Sequence, residues 1–231
     1  MEQNNEGKTN KKETKRLSLT QVSDGIRVGT KSNGVKYTVR TDRSAYFFPE
    51  RWIKFFETIN PEKQDVFDAL INTGGRIEEI LNIKPEDFDW ERNNLTLKVT
   101  KTKATKGESV GRKRTFNISS QFARMMRKYI NDHNIQNGQV LFSITKQAVS
   151  QMMKRGLQRA EFDDWQQFSL HNIRKTHGNW LKALEIPSDE ICLRLGHDHN
   201  TYLKHYGSAS IFDRKDKMLM IKILGDVYGF K

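Results

Sequence analysis

Helical periodicity dominates this sequence, and a single pair of alternating stretches interrupts it. Apolar residues recur at intervals of three and four from Trp52 onward, and the pattern returns in segments as far as residue 224. The two exceptions are "NLTLKVT" at 94–100 and "RTFNIS" at 114–119, where apolar and polar residues alternate as in half-buried strands. The pattern therefore predicts an α+β domain that is mainly α-helical, with one small antiparallel sheet inserted early.

Capping and stop signals divide the helical part into segments. Asn60 suits the cap of a helix, and the Gly74-Gly75 pair ends that helix. The other predicted helices cover 49–59, 76–83, 120–130, 145–158, 169–184, 188–195 and 211–224.

The beginning of the chain differs in composition from the rest. Residues 1–17 are polar and charged and contain no aromatic side chain, which predicts disorder or a basic arm that lies on nucleic acid. Weak alternation in "GVKYTVRT" at 34–41 predicts one strand. We therefore expect a basic, partly disordered extension at 1–46 and one folded domain at 47–231.

Charge points to a polyanionic partner. The chain has 40 lysines and arginines against 28 acidic residues, a formal charge of +12, and such an excess is typical of proteins that bind nucleic acid. Cys192 is the one cysteine, which excludes an internal disulfide framework and a cysteine-rich zinc site. We expect no membrane partner and a cytoplasmic location, because the sequence has no apolar run of about 18 residues and no secretory signal.

Four separated stretches carry chemically capable side chains. In chain order they are "NTGGRIEEIL" at 72–81, "VTKTKA" at 99–104, "HNIR" at 171–174, and "LGH" at 195–197 with Tyr206 beyond it. In this order the four stretches resemble the tyrosine recombinases, the family of phage integrases and chromosome-dimer resolvases. The resemblance covers residues 47–210 and implies the family's DNA breaking-rejoining catalytic core, which works without a metal or other cofactor.

The resemblance assigns roles that suit the chemistry of a phosphodiester. Attack on phosphorus builds negative charge on the non-bridging oxygens, and two fixed guanidinium groups can stabilise that charge through bidentate hydrogen bonds. Arg76 and Arg174 match the family's two arginines. Tyr206 matches the nucleophile, whose attack gives a covalent phosphotyrosyl link and splits the transfer into two reversible steps.

The remaining roles fall on a lysine and two histidines. Lys101 matches the family's hairpin lysine, which protonates the leaving 5′ oxygen, and Lys103 is its rival because residues two apart on a strand share a face. His171 resembles the histidine that acts as phosphate donor or general base, and His197 resembles a further donor to the phosphate.

Supporting and DNA-contacting residues complete the candidate site. Glu79 matches an acidic position that supports the active site in many members, with an exposed ion pair as the alternative reading. The second glycine of "TGGR" replaces a larger apolar residue, and we expect it to loosen the turn without displacing Arg76. Candidate DNA contacts on the basic hairpin are Lys103, Lys106, Arg112, Lys113 and Arg114.

The resemblance also implies an assembly on DNA and a further domain before the catalytic one. Members act on double-stranded DNA as a homodimer on each site and a homotetramer in synapsis. They commonly carry a helical core-binding domain before the catalytic one, yet only about 46 residues precede the match here. A catalytic fragment and a minimal recombinase both remain open, as do cis and trans docking of the C-terminal helix.

Three other interpretations compete with a recombinase. His197, Asp198, His199 and His205 are capable of binding metal, but their spacing matches no common metal motif. A DNA-binding module without catalysis would explain the charge but not the ordered set of catalytic residue types. A type IB topoisomerase would share the chemistry and relax supercoils without site preference.

Overall fold

The computed structural model describes the backbone at residues 20–23, 26–30 and 36–40, and backbone with side chains at 45–98, 113–200, 202 and 211–226. The chain forms two units, Met1–Arg43 and Ser44–Lys231.

The first unit contains a three-stranded antiparallel sheet. Its strands are β1 (Thr20–Ser23), β2 (Ile26–Thr30) and β3 (Lys36–Arg40), in the spatial order β1-β2-β3. The strand predicted within 34–41 is confirmed as β3. The two other strands were not predicted, although the Asp24-Gly25 dipeptide between them is a strong hairpin signal.

The second unit is mainly helical, as the periodicity predicts. Its helices are α1 (Pro49–Phe56), α2 (Gln64–Thr73), α3 (Ile77–Ile80), α4 (Ser120–Asp132), α5 (Lys146–Arg159), α6 (Leu170–Ala183), α7 (Ser188–Leu195) and α8 (Arg214–Leu224). Its strands are β4 (Phe88–Asp89), β5 (Asn94–Lys98) and β6 (Lys113–Asn117). Within the described residues, no helix is long and apolar enough to cross a bilayer.

The sheet of the second unit is antiparallel with the order β4-β5-β6, which confirms the predicted strand pair. Phe116 pairs with Leu95 and Arg114 pairs with Leu97 across β5 and β6. Directly paired residues share a face, and both leucines are buried. The register therefore turns Arg114 toward the core together with Phe116.

Helix α6 lies at the centre of this unit. Every residue from Asn172 to Leu181 is buried, so the helix is enclosed on all sides. An aromatic cluster packs at its far end, where Trp180 Nε1 donates to the Phe47 carbonyl at 3.0 Å and the Phe47 amide donates to Thr176 Oγ1 at 2.9 Å. These bonds fix the helix whose first turns carry His171 and Arg174.

Helix α8 packs within its own chain. Met220 and Leu224 are buried, and Lys217 Nζ lies 3.1 Å from a carboxylate oxygen of Glu185. After the helix, a carboxylate oxygen of Asp226 accepts from Ser120 Oγ at 2.7 Å. The C-terminal helix therefore packs against the domain that carries it.

Candidate active site

The turn after α2 presents Arg76. Gly74 ends the helix in a left-handed conformation with φ of 62°, a shape that favours glycine. Thr73 Oγ1 donates to the Ala69 carbonyl at 2.6 Å and accepts from the Gly75 amide at 3.0 Å. The Thr73 hydroxyl therefore joins the last turn of α2 to the glycine turn that follows it.

The second glycine of this turn is closely packed. A Cβ built on Gly75 would lie 2.5 Å from Ile80 Cδ1 and 3.0 Å from Leu97 Cδ1. The side chains of these neighbours already occupy the space that a larger residue would fill.

Glu79 joins Arg76 to Arg114. The Arg76 amide donates to Glu79 Oε2 at 2.8 Å, and Arg76 Nη1 donates to Glu79 Oε1 at 2.9 Å. From the other side, Arg114 donates from Nη1 at 3.0 Å and from Nη2 at 2.5 Å to the same two oxygens. The Glu79 side chain is fully buried, whereas that of Arg76 is 37% exposed. The alternative reading of Glu79 as an exposed ion pair is therefore wrong.

Glu79 is ionised in this setting. Burial by itself raises the pKa of the carboxyl group, but the hydrogen bonds and charge of Arg114, and then the bonds from Arg76, lower the pKa to about 2. The carboxylate thus holds a fixed negative charge under Arg76 at every pH at which the protein would act.

Arg174 enters from the first turns of α6. Its side chain is 1% exposed. Its Nη1 donates to the Gly74 carbonyl at 2.8 Å, and its Nη2 donates to the Leu195 carbonyl. Arg174 therefore joins the end of α2 to the end of α7.

His197 follows the turn that ends α7. Gly196 adopts φ of 60°, and the His197 amide donates back to the Cys192 carbonyl at 3.0 Å, as in a Schellman motif. Arg174 Nη2 lies 2.9 Å from His197 Nε2. A guanidinium only donates, so Nε2 accepts this bond and the proton of the neutral ring is on Nδ1.

Helix ends explain why so many donors from arginine and histidine side chains are buried here. The last carbonyls of a helix have no partner within the helix and carry partial negative charge. At α2, His177 Nδ1 donates to the Ile71 carbonyl at 2.6 Å and Arg194 Nη1 donates to the Asn72 carbonyl at 3.4 Å. At α7, Arg114 Nε donates to the Arg194 carbonyl at 2.8 Å. Two converging helix C-termini thus stabilise the buried arginines and are capped by them.

A pocket of about 330 Å³ lies where the Arg76 turn meets the first turns of α5 and α6. Arg76, His171 and Arg174 all line it, although they are distant in sequence. Lys146, at the start of α5, also lines it and places its Nζ 2.8 Å from Glu78 Oε1. The structure therefore brings three predicted catalytic residues to one pocket, with His197 attached through Arg174.

The structure does not describe all of the predicted site residues. Lys101, Lys103, Lys106, Arg112 and Tyr206 lie outside the described residues. Lys113 is exposed at the start of β6, as a DNA contact would require. His199 is exposed, with Nδ1 3.9 Å from a carboxylate oxygen of Asp189. Within the described part of the chain, no group of three or more histidine, cysteine or acidic side chains is arranged to hold a metal ion.

Arg114 corrects one sequence prediction, and Lys146 adds to the set. We expected Arg114 on the exposed hairpin tip, but it is 7% exposed, and Glu79 and a backbone carbonyl bind its guanidinium. The sequence contained a signal for this position: Arg114 lies two residues before Phe116 in the same strand, so both side chains lie on the inner face. No sequence signal distinguished Lys146 from other basic residues on helices.

Replacing Gly74 tests how tightly this turn is packed. In Gly74→Ala, a left-handed alanine costs about 1–2 kcal/mol, and overpacking against the His177 ring 2.5 Å away adds about 1–3 kcal/mol. Gly138→Ala is the matched control, because its φ is +86° with nothing within 4 Å of the new Cβ. We expect urea unfolding to show a clearly larger loss for Gly74→Ala than for Gly138→Ala. Equal losses would contradict the close packing.

His177 makes stability depend on pH. Burial first, then the charge of Arg194, hold its pKa well below 6.5, against the opposing effect of the Ile71 hydrogen bond. The folded state therefore stays neutral where the unfolded chain takes up a proton. We expect the free energy of unfolding to fall, as pH drops below about 6.5, by up to about 1.4 kcal/mol per pH unit from this group. In His177→Leu, urea unfolding between pH 5 and 7 should show a slope reduced by that amount. An unchanged slope would contradict a buried neutral ring.

Comparisons with known proteins agree with the family resemblance and with the fold. A family model described as "Phage integrase family" matches residues 49–210. A search of curated protein sequences found no significant match.

Solved structures share the fold. A fragment of the Tn1549 transposon integrase, in complex with transposon right end DNA, is 16% identical with a TM-score of 0.59, covering 80% of this chain and 67% of that one. For XerA recombinase, the identity is 14% and the TM-score 0.57, over 77% of this chain and 64% of the other. For the integrase from mycobacterium phage Brujita, the values are 14% and 0.53, over 81% and 59%.

The chain spans about two thirds or less of each of these solved chains. The family model nevertheless covers most of this chain, including the turn that carries Arg76, the start of α6, and the turn that carries His197. With the catalytic pattern of its sequence and its mainly helical fold, this chain belongs to the phage integrase family, the tyrosine recombinases.

Proposed function

We propose that this chain is the catalytic part of a site-specific DNA recombinase that cleaves and rejoins DNA through a covalent 3′-phosphotyrosyl intermediate. The observation that carries the proposal is the pocket lined by Arg76, His171 and Arg174, with His197 bonded to Arg174. Three segments distant in sequence supply these groups, and a family pattern alone would not require them to meet.

Cleavage would begin with Tyr206. Its phenolic oxygen attacks the scissile phosphorus, the bond from phosphorus to the 5′ oxygen breaks, and the strand keeps a 3′-phosphotyrosyl link. The phenol proton passes to His171, and the leaving 5′ oxygen takes a proton from Lys101 or Lys103. Religation reverses these steps with a 5′-hydroxyl from the partner strand, so the phosphodiester bond energy is conserved and no ATP is required.

The two arginines would stabilise the charge that develops on the phosphate. Arg76 is half-exposed at the pocket and is held from beneath by Glu79, which leaves the outer part of its guanidinium directed at a ligand. Arg174 is held rigidly by two carbonyls, so it needs no reorganisation when charge develops. His197, as an acceptor for Arg174, keeps that guanidinium in place.

The partner would be double-stranded DNA at a recombination site. The charge of +12, the exposed Lys113 and the Lys146 in the pocket wall suit a phosphate backbone. The solved Tn1549 integrase is in complex with DNA, which supports the same partner here. We propose a homodimer on each site, a homotetramer in synapsis and action at the DNA of the cytoplasm. Lys103, Lys106 and Arg112 are proposed as backbone contacts.

No observation favours the two other functions. The family match and the solved structures named above are integrases and recombinases, and they lend the topoisomerase alternative no support. A binding module without catalysis would have no need for a buried carboxylate under Arg76 or for a histidine on Arg174.

A pool of nicked duplexes with randomised sequence tests the proposal, because such a pool contains a very large number of candidate recombination sites. A nick beside the cleavage position makes the fragment that carries the new 5′-hydroxyl very short. This fragment diffuses away, religation cannot occur, and the covalent intermediate is trapped. We expect denaturing gels to show protein joined to DNA, and sequencing of that DNA to return a shared inverted repeat. Joined DNA without any sequence preference would favour a topoisomerase, and tight binding without joined DNA would favour a binding module.

A further inference from the structure

The contacts of Arg114 join two turns of the site. Its Nη atoms bind both oxygens of Glu79, whose opposite face binds the amide and Nη1 of Arg76. Its Nε donates to the Arg194 carbonyl, two residues before the glycine of the turn that carries His197. One buried side chain thus touches the supports of a phosphate-binding arginine and of a site histidine.

The geometry requires an arginine at this position. The planar guanidinium directs two N–H donors at the Glu79 carboxylate and a third donor, Nε, at the Arg194 carbonyl. The single ammonium of lysine does not reproduce this set. The side chain also runs beside the turn that carries His197, since a Cβ built on Gly196 would be in van der Waals contact with Arg114 Cδ at 3.4 Å. Arg114 itself is 7% exposed and is not among the residues that line the pocket.

We propose that Arg114 is a positioning residue for strand cleavage, an inference that rests on the proposed function. Through Glu79 it fixes the guanidinium of Arg76, and through the Arg194 carbonyl it fixes the turn that bears His197. Phosphate charge is stabilised only by donors held in the productive geometry, so a loose Arg76 lowers the cleavage rate even though it remains positively charged.

The test uses a nicked duplex selected from the randomised pool and single-turnover cleavage at saturating protein. Arg114→Lys keeps the charge beside Glu79 but loses the fork. We expect cleavage to slow by about 10–100-fold, as for other residues that orient a reacting group, while DNA affinity stays at the wild-type value. Arg92→Lys is the control, because Arg92 forms an exposed ion pair with Asp89 and touches neither turn. It should cleave at the wild-type rate.

A double-mutant cycle separates positioning from general damage. If Arg114 acts through Arg76, then adding Arg114→Lys to Arg76→Ala should slow cleavage by less than Arg114→Lys slows the wild-type chain, because only the route through the His197 turn is left. Independent damage would instead multiply the two losses in full. The pair Arg114→Met and Glu79→Gln removes both buried charges together. Combined with Arg76→Ala, it should likewise slow cleavage by less than the product of the separate losses. Melting temperatures confirm folding. If this pair does not fold, the result for Arg114→Lys decides.

Two failures are distinguishable. Absence of joined DNA with the wild-type chain would overturn the proposed function. Joined DNA with the wild-type chain, together with a wild-type rate for Arg114→Lys or multiplied losses in the cycle, would overturn only the role of Arg114.

Discussion

Tyr206→Phe should abolish the covalent complex with DNA. The phenyl ring keeps the shape of the side chain but has no oxygen to attack phosphorus, so neither step of the transfer can begin. DNA affinity should remain, because affinity rests largely on contacts between basic side chains and phosphates. The measurement is the yield of joined DNA on a denaturing gel, with binding followed in parallel.

Tyr202 is the matched control for Tyr206. It lies four residues earlier in the sequence and is 4% exposed, with its ring centroid 5.9 Å from that of His199. Burial raises the pKa of its phenol, which further disfavours attack as a phenolate. Tyr202→Phe should therefore still form joined DNA. Loss of the complex in Tyr202→Phe and its survival in Tyr206→Phe would assign the nucleophile to Tyr202.

The parts of the fold that local patterns specify were predicted well. The helix at Ser188–Leu195 ends where its Leu-Gly signal predicts, and β5 and β6 occupy the two alternating stretches. Periodicity and caps act within a few residues, so one sequence contains this information. The strands β1 and β2 were missed, although Ile26 and Val28 alternate with Arg27 and Gly29 and the preceding Asp24-Gly25 dipeptide is a hairpin signal.

The site shows where local reasoning ends. Family resemblance identified Arg76, His171 and Arg174, and the structure brings them to one pocket. The resemblance did not predict what binds the buried arginines. Their partners are mostly backbone carbonyls at the ends of two helices, α2 and α7, which meet only in three dimensions. Arg114 was predicted as a DNA contact because it ends the basic run "GRKR", whereas its inward position follows from the register of β6 on β5.

The convergence of helix ends has a consequence for catalysis. Carbonyl groups with partial negative charge, at the ends of two helices, bind the buried guanidinium of Arg174. These bonds hold the guanidinium beside the pocket, so it would need no reorganisation when a phosphate binds there. The full carboxylate of Glu79 is placed instead under Arg76, the more exposed of the two arginines.

Arg174→Lys is the second decisive substitution. A lysine keeps one positive charge but has no planar fork, so it cannot bind the Gly74 and Leu195 carbonyls and His197 together. Loss of one preorganised donor to a developing oxyanion typically costs about 10²–10³ in rate. Each carbonyl left without its bond costs about 1–3 kcal/mol of stability. We expect both losses, measured by single-turnover cleavage and by urea unfolding.

Arg194→Lys separates the two losses. Arg194 is also a fully buried arginine that donates to two carbonyls, those of Asn72 and Asn117, but it is not among the residues that line the pocket. Its replacement should lower stability by a similar amount and slow cleavage far less than Arg174→Lys. Equal losses of rate would mean that Arg174 serves the fold alone, whereas a loss specific to Arg174 would assign its guanidinium, together with the His197 bonded to it, a role in cleavage. Both arginines are buried and donate to two carbonyls, so the comparison measures what access to the pocket and the bond to His197 add.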